Sequence, residues 1–126
     1  MTRGLRNWLG RTIAVAAAAV GIVAASAGSA SASWVSATVG GYSTGGVSLR
    51  DCYHPTTQLP PSQNCTYIRT VAPGTPVHVV CQREGQNIYG DPIWDYIVTP
   101  NGEGFMADYY VNTGYPGWIP GIDHCS

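Results

Sequence analysis

Apolar and polar residues alternate in short runs from residue 47 onward, with no apolar spacing of helical period. The run Val47-Ser48-Leu49-Arg50 is typical of a half-buried strand, because successive side chains of a strand point to opposite faces. Turn residues separate such runs, as at Pro73-Gly74 and at Asn101-Gly102, where glycine or asparagine accepts a positive φ. The pattern predicts an all-β fold of about five short strands, over residues 47–50, 67–71, 77–81, 93–98 and 105–106.

The segments between these runs are polar and rich in turn residues. Residues 53–64 form a predicted loop bracketed by Cys52 and Cys65, and residues 82–92 form a second one. After Val111, the sequence NTGYPGWIPGIDHC has glycines and prolines too closely spaced for a long regular element. We therefore expect the domain to end in an irregular tail over residues 112–126.

The N-terminal segment has the three regions of a secretory signal peptide. Three arginines precede an apolar run over residues 13–25, and Ala30-Ser31-Ala32 matches the A-x-A cleavage pattern. The apolar run is shorter than the roughly 20 residues needed to cross a bilayer. We expect residues 1–32 to be removed, leaving a secreted or cell-wall-associated chain without a membrane span. Residues 33–46, rich in Ser and Gly, are expected to be a flexible leader or one irregular strand.

The charge that remains after cleavage excludes one class of partner. Residues 33–126 contain three arginines, no lysine and seven acidic residues, a net charge of −4 with neutral histidines. A protein that binds nucleic acid needs a basic patch to displace counterions from the phosphates. We therefore expect no nucleic-acid partner.

The four cysteines predict two disulfides in a small exported domain over residues 47–126. The sequence contains no C-x-x-C pair, the spacing that would indicate a zinc site instead. Four cysteines allow three pairings, and the sequence alone leaves all three open. We expect Cys52–Cys65, closing the loop after the first strand, and Cys81–Cys125, tethering the tail to the barrel.

No motif predicts a catalytic site. A cysteine nucleophile needs a free thiolate, whereas each cysteine is expected in a disulfide. Glycoside hydrolysis needs a pair of carboxyl groups, and the possible pairs are Asp91 with Asp95 or Glu103 with Asp108. We favour the interpretation that these acids are solvated surface groups or turn caps. Three histidines lie on separate segments: His54, His78 and His124. The sequence therefore predicts a chain that is not an enzyme and that uses no metal or cofactor.

Three motifs, in order, resemble those of bacterial SH3-like domains. Residues 46–50 resemble their G-x-x-x-R opening, and VAPGTPVHVV resembles their V-x-x-G-x-x-V-x-V hairpin. WDYI, a turn and then GFMADYYV are similar to their closing motif. The resemblance covers residues 47–111 and implies a small barrel, with the tail and cysteines pointing to an exported, disulfide-bonded subgroup.

The resemblance also implies where a ligand binds. The groove of SH3 folds lies, on this chain, between residues 53–64, 82–92 and 107–110, and Tyr110 matches the family's groove tyrosine. The chain also has more aromatic residues than so small a core can hide, although the strand position of Trp94 favours the core. The expected ligand-binding residues are four aromatics and two acids that orient amines: Tyr53, Tyr89, Trp94, Tyr110, Asp91 and Asp95.

These features together predict a non-catalytic binding module. The expected ligand is a cell-wall peptide or glycopeptide, the class with which bacterial members of the family are associated. The alternative is a factor that binds an extracellular protein, as an inhibitor or assembly factor. Its contact surface would be the tail around Trp118.

Overall fold

The computed structural model describes residues 34–40 and 45–126. These residues form eight strands and one short 3-10 helix, and the all-β prediction is confirmed. The elements are β1 (Val35–Val39), β2 (Val47–Asp51), β3 (Thr66–Val71), β4 (Pro76–Ile88), β5 (Asp91–Thr99), β6 (Gly102–Ala107), the 3-10 helix (Asp108–Tyr110), β7 (Val111–Asn112) and β8 (Asp123–His124). Within the described ranges, no helix is long and apolar enough to span a membrane.

The strands form one sheet with the order β3-β2-β6-β5-β4-β1-β7. Neighbours along this order pair antiparallel, whereas β8 pairs in parallel with β4. Because β5 occupies one edge of β4, β1 and β8 share the other edge. The described strands therefore form an open sheet. Strands β7 and β8 have two residues each, which is too short to produce an alternating pattern in the sequence.

Of the two expectations for residues 33–46, a flexible leader or one irregular strand, strand β1 agrees with the strand. It pairs with β4 from Val35 opposite Val79 to Thr38 opposite Pro76. Val39, at the end of β1, is buried in the core. The segment has few large apolar residues, so its strand structure depends on the backbone partners that β4 and β7 provide. The predicted signal peptide, residues 1–32, lies outside the described residues.

Strand β4 corrects the prediction of a polar loop over residues 82–92. It continues to Ile88 and pairs with β5 over most of its length, with irregular register near Cys81 and again before Ile88. Gly85 permits the close approach of the 53–64 segment, because a Cβ at this position would collide with the carbonyl oxygen of Pro61. That oxygen accepts a hydrogen bond from the backbone N–H of Gln86 at 2.9 Å. Of the predicted loop, only Tyr89 and Gly90 form a turn, and Asp91 begins β5.

The core consists of two adjoining apolar clusters. Apolar residues from strands β1 to β7 and from the tail form the first cluster. Trp94 and Phe105 dominate the second, next to Cys52 and Cys65. Trp94 is 2% exposed, and its indole N–H donates to the carbonyl oxygen of Gln86 at 2.9 Å. Its burial confirms the interpretation of this residue as core.

Both predicted disulfides are present, Cys52–Cys65 and Cys81–Cys125. The second bond joins β4 to the end of the tail, next to the parallel pairing of β8 with β4. The backbone N–H of Cys125 also donates to the carbonyl oxygen of Gln82 at 2.8 Å. The tail is therefore covalently tethered and hydrogen-bonded to the sheet, and it forms one wall of the site described next.

Candidate functional site

A broad groove lies between the β4–β5 turn, the 3-10 helix and the C-terminal tail. Its volume is about 770 Å³, within the range of small-ligand sites. Four exposed aromatic side chains line it: Tyr89, Tyr109, Tyr115 and Trp118. We call this surface the aromatic groove.

Tyr89 enters the aromatic groove from a strained backbone position. Ile88 pairs with Asp91 across a two-residue turn whose central residues, Tyr89 (φ 51°) and Gly90 (φ 93°), are both left-handed. Such turns ordinarily take Asn-Gly, and here the N–H of Gly90 donates to Asn87 Oδ1 at 2.7 Å. A tyrosine in this conformation costs about 1–3 kcal/mol. The residue is 79% exposed, so burial of its ring does not offset this cost.

The other rings of the aromatic groove are held by neighbouring rings. The centroid of Tyr109 lies 5.1 Å from that of Tyr89 and 5.2 Å from that of Tyr110. Trp118 stacks on His124 with 4.1 Å between centroids. The contacts of Tyr109 join the turn to the 3-10 helix, whereas Trp118 is held by a ring of the tail itself.

Three carboxyl groups extend from the groove wall into the core. Asp91 is partly exposed, Asp108 is 4% exposed and Asp95 is fully buried. The carboxyl group of Asp108 lies close enough to those of Asp91 and Asp95 to share a proton with them. Because an ionised carboxylate can only accept, a hydrogen bond between two of these groups forms only when one of them carries a proton.

The environment of the two inner carboxyl groups decides where that proton lies. Burial, together with hydrogen bonds to Asp91 and Asp95 and their negative charges, raises the pKa of Asp108 to about 11. Burial also raises the pKa of Asp95 to about 6, against hydrogen bonds from Asp108 and Gln82 that lower it. At neutral pH, therefore, Asp108 is the protonated donor and Asp95 is the carboxylate.

A buried glutamine connects this carboxyl pair to the tail. The side-chain amide of Gln82 donates to Asp95 Oδ1 at 2.7 Å and to the carbonyl oxygen of Gly117 at 3.1 Å. Its oxygen accepts from the backbone N–H of Ile119 at 2.8 Å. Asp108 Oδ2 accepts from the N–H of Gly117 at 3.2 Å. Gln82 and Asp108 thus fix the segment of the tail that carries Trp118.

The six residues expected at the ligand site do not come together in the structure. Tyr89 and Asp91 line the aromatic groove. Tyr110 instead lines a small pocket of about 170 Å³, which also includes Trp94. Tyr53 lies elsewhere, packed against Phe105 with centroids 5.7 Å apart.

The burial of two of the six corrects their assignment as ligand contacts. Trp94 is 2% exposed and Asp95 is 0% exposed, so neither offers appreciable surface to a ligand. The physical reason is that β5 is buried on both faces: Trp94 faces the second core cluster, and Asp95 faces the tail through Gln82.

Sequence reasoning missed several residues of the aromatic groove. Tyr109 precedes Tyr110 directly, and the resemblance to SH3-like domains selected Tyr110 alone. The favoured interpretation of the acids as solvated surface groups was also wrong for Asp95 and Asp108, because both are buried and lie beside each other. Gln82 carried no signal, since a polar residue next to a strand predicts a loop.

Other reactive groups of the described residues are engaged or dispersed. All four cysteines are in disulfides. His54 lies beside Asp51, with Nδ1 and Oδ2 3.0 Å apart, while His78 and His124 stack on tryptophans. No group of three His, Cys, Asp or Glu residues in the described part of the chain is arranged to hold a metal ion.

Comparison with known proteins adds no family to this description. The chain matches no protein-family model, and a search of curated proteins finds no similar sequence. The function of the aromatic groove must therefore be argued from its own geometry.

Proposed function

We propose that the mature chain is a secreted, non-catalytic module of the SH3-like type that binds a cell-wall peptide or glycopeptide in the aromatic groove. The observation that carries the proposal is Tyr89, whose ring is 79% exposed on a left-handed residue. Strained residues of this kind cluster at ligand-binding positions, where contact with the ligand accounts for the cost to the fold.

The composition of the aromatic groove suits such a ligand. Tyrosine and tryptophan provide a large contact area with few rotatable bonds, and their N–H and O–H groups can pair with a polar ligand. The volume of about 770 Å³ accommodates a short peptide segment or a few sugar units. The same rings can stack on sugars and pack against aliphatic side chains.

The arrangement of the carboxyl groups supports binding rather than hydrolysis. Glycosidases hold two carboxyl groups about 5 Å or more apart, on either side of the scissile bond. Asp95 and Asp108 are instead close enough to share a proton, and Asp95 is fully buried. Both groups fix the tail through Gln82 and Gly117.

The two disulfides are consistent with an oxidising, extracellular location. The alternative function, a factor that binds one extracellular protein through the tail, is favoured by Trp118. Its ring is 40% exposed and lines the same groove as Tyr89. Both candidates therefore use one surface and differ in the partner.

The test is co-sedimentation of the mature protein with purified bacterial sacculi, comparing the parent with Tyr89→Gly. Glycine accepts the left-handed conformation, so we expect this variant to be about 1 kcal/mol more stable. Loss of the ring should weaken retention about tenfold, as for a central aromatic contact. The matched control is Tyr67→Ala, on β3, which removes an exposed tyrosine that does not line the aromatic groove.

Retention that is equal in the parent and in Tyr89→Gly would overturn the use of the aromatic groove. Absence of retention, combined with capture of one defined extracellular protein through Trp118, would support the alternative. Thermal unfolding of each variant shows that a loss of retention does not come from unfolding.

A further inference from the structure

The charged residues that line the aromatic groove are all acidic. Glu84 and Asp91 contribute to its surface, as does the protonated Asp108, whereas no lysine, arginine or histidine of the described residues does so. A concave surface with charges of one sign concentrates its field and attracts ligands of the opposite charge. The groove is therefore electrostatically complementary to a cation.

The rings of the aromatic groove favour the same kind of ligand. The face of a tyrosine or tryptophan attracts a cation placed within about 6 Å of the ring centroid. Tyr89 and Tyr109 stand 5.1 Å apart by their centroids, and Trp118 lies across the groove on the tail. Rings on separate elements can surround an organic ammonium group while its carbon chain packs between them.

A nearly buried carboxyl group in the groove lacks an amide or hydroxyl donor at one oxygen. Asp108 is 4% exposed, and its Oδ2 accepts from the N–H of Gly117. Its Oδ1 receives no hydrogen bond from an N–H or hydroxyl group in the described part of the chain. Burial and the neighbouring carboxyl groups raise the pKa of this group, so Asp108 is neutral at pH 7 and the negative charge of the groove comes from Glu84 and Asp91.

We infer that the aromatic groove binds a primary ammonium group carried by a peptide segment, held by Asp91 between the rings of Tyr89 and Trp118. An ammonium group offers three N–H donors, and its hydrogen bonds to carboxylates are of the strong, charge-assisted kind. The inference rests on the proposed function only for the origin of the peptide in the cell wall. The ammonium group itself follows from the charges and rings of the groove.

The test uses the mature protein with both disulfides intact and a blocked Gly-Lys-Gly peptide, whose ε-amine is its one cation. Its ε-N-acetylated counterpart is the neutral probe. Binding at pH 7 is followed by backbone amide NMR shifts, which we expect to map to Tyr109 and Trp118. Acetylation and the variant Asp91→Asn should each weaken binding about tenfold, the effect of losing one charge-assisted hydrogen bond.

Glu103→Gln provides a matched control, because Glu103 is exposed on β6 and does not line the aromatic groove. It removes the same charge as Asp91→Asn and should leave the affinity within about twofold, as a distant surface charge does. Equal binding of the acetylated peptide, or equal losses in the two variants, would overturn the inference. Shifts that map outside the aromatic groove would also overturn it.

Sacculi with acetylated amines separate this inference from the proposed function. If native and acetylated sacculi are retained equally, wall binding stands and the ammonium site is wrong. If the lysine peptide binds in the aromatic groove but native sacculi are not retained, the ammonium site stands and the wall ligand is wrong.

Discussion

Replacing Asp108 by asparagine tests the proton shared in the carboxyl pair. An asparagine side chain has the shape of a protonated carboxyl group, can donate to Asp95 and can accept from the N–H of Gly117. Unlike Asp108, it needs no proton from solvent to do so. The substitution therefore preserves the contacts and removes their dependence on pH.

The magnitude follows from the position of the pKa. Asp108 titrates near its ordinary value of 3.8 in the unfolded chain and at about 11 in the folded chain. Above pH 3.8 the folded state therefore binds the extra proton, and its stability falls as pH rises towards the folded value. At pH 7, about 3 pH units above 3.8, this costs about 4 kcal/mol at most. Solvent in the groove screens the group, so we expect about 2 kcal/mol.

The assay is urea unfolding of the oxidised protein at pH 4, 5.5, 7 and 8.5, followed by tryptophan fluorescence. Asp108→Asn should match the parent at pH 4 and exceed its stability by about 2 kcal/mol at pH 7, a rise in Tm of roughly 10 °C. Glu103→Gln, which changes an exposed carboxyl group, should follow the parent at every pH. A destabilisation by Asp108→Asn that is the same at all four pH values would refute the shared proton.

Two further predictions concern the core and the processing of the chain. Trp94→Ala should lower the free energy of unfolding by about 3–5 kcal/mol, because it empties a core site and removes the hydrogen-bond donor to Gln86. A urea midpoint close to that of the parent would contradict the assignment of Trp94 to the core. The secreted protein should begin at Ser33, and an intact mass that still includes residues 1–25 would exclude cleavage after Ala32.

Local sequence signals predicted the strands and turns whose causes are local. Gly74 has a φ of 83° in the turn before β4, as its place after Pro73 suggests. Thr99 pairs with Gly102 across the next predicted turn, at the β5–β6 hairpin. The pairing of the four cysteines was also predicted correctly, because each bond closes a segment that the strand pattern leaves without other support. Apolar–polar alternation, turn residues and cysteine spacing each predict structure in the same segment of the chain in which the signal lies.

The aromatic groove depends on contacts between distant segments. Gln82 and Asp95 stand opposite each other across β4 and β5, in a register set beyond the irregularity near Cys81. The pairing of Trp94 with Ala107 then brings the end of β6, and so Asp108, beside β5. No local pattern contains this register, which is why the carboxyl groups of Asp95 and Asp108 were not paired from the sequence.

The sequence by itself determined an all-β chain with two disulfides, turns at defined glycines and an excess of aromatic residues. Only the tertiary structure decided which of those residues form a site. The tail folds back onto β4 and covers the face of β5 that alternation assigns to solvent. Asp95 therefore becomes buried, and Trp118 and Tyr89 line one groove. The physical reason is that the exposure of a side chain depends on which segments pack over its strand. The alternation along a strand shows only which residues share a face, not what covers that face.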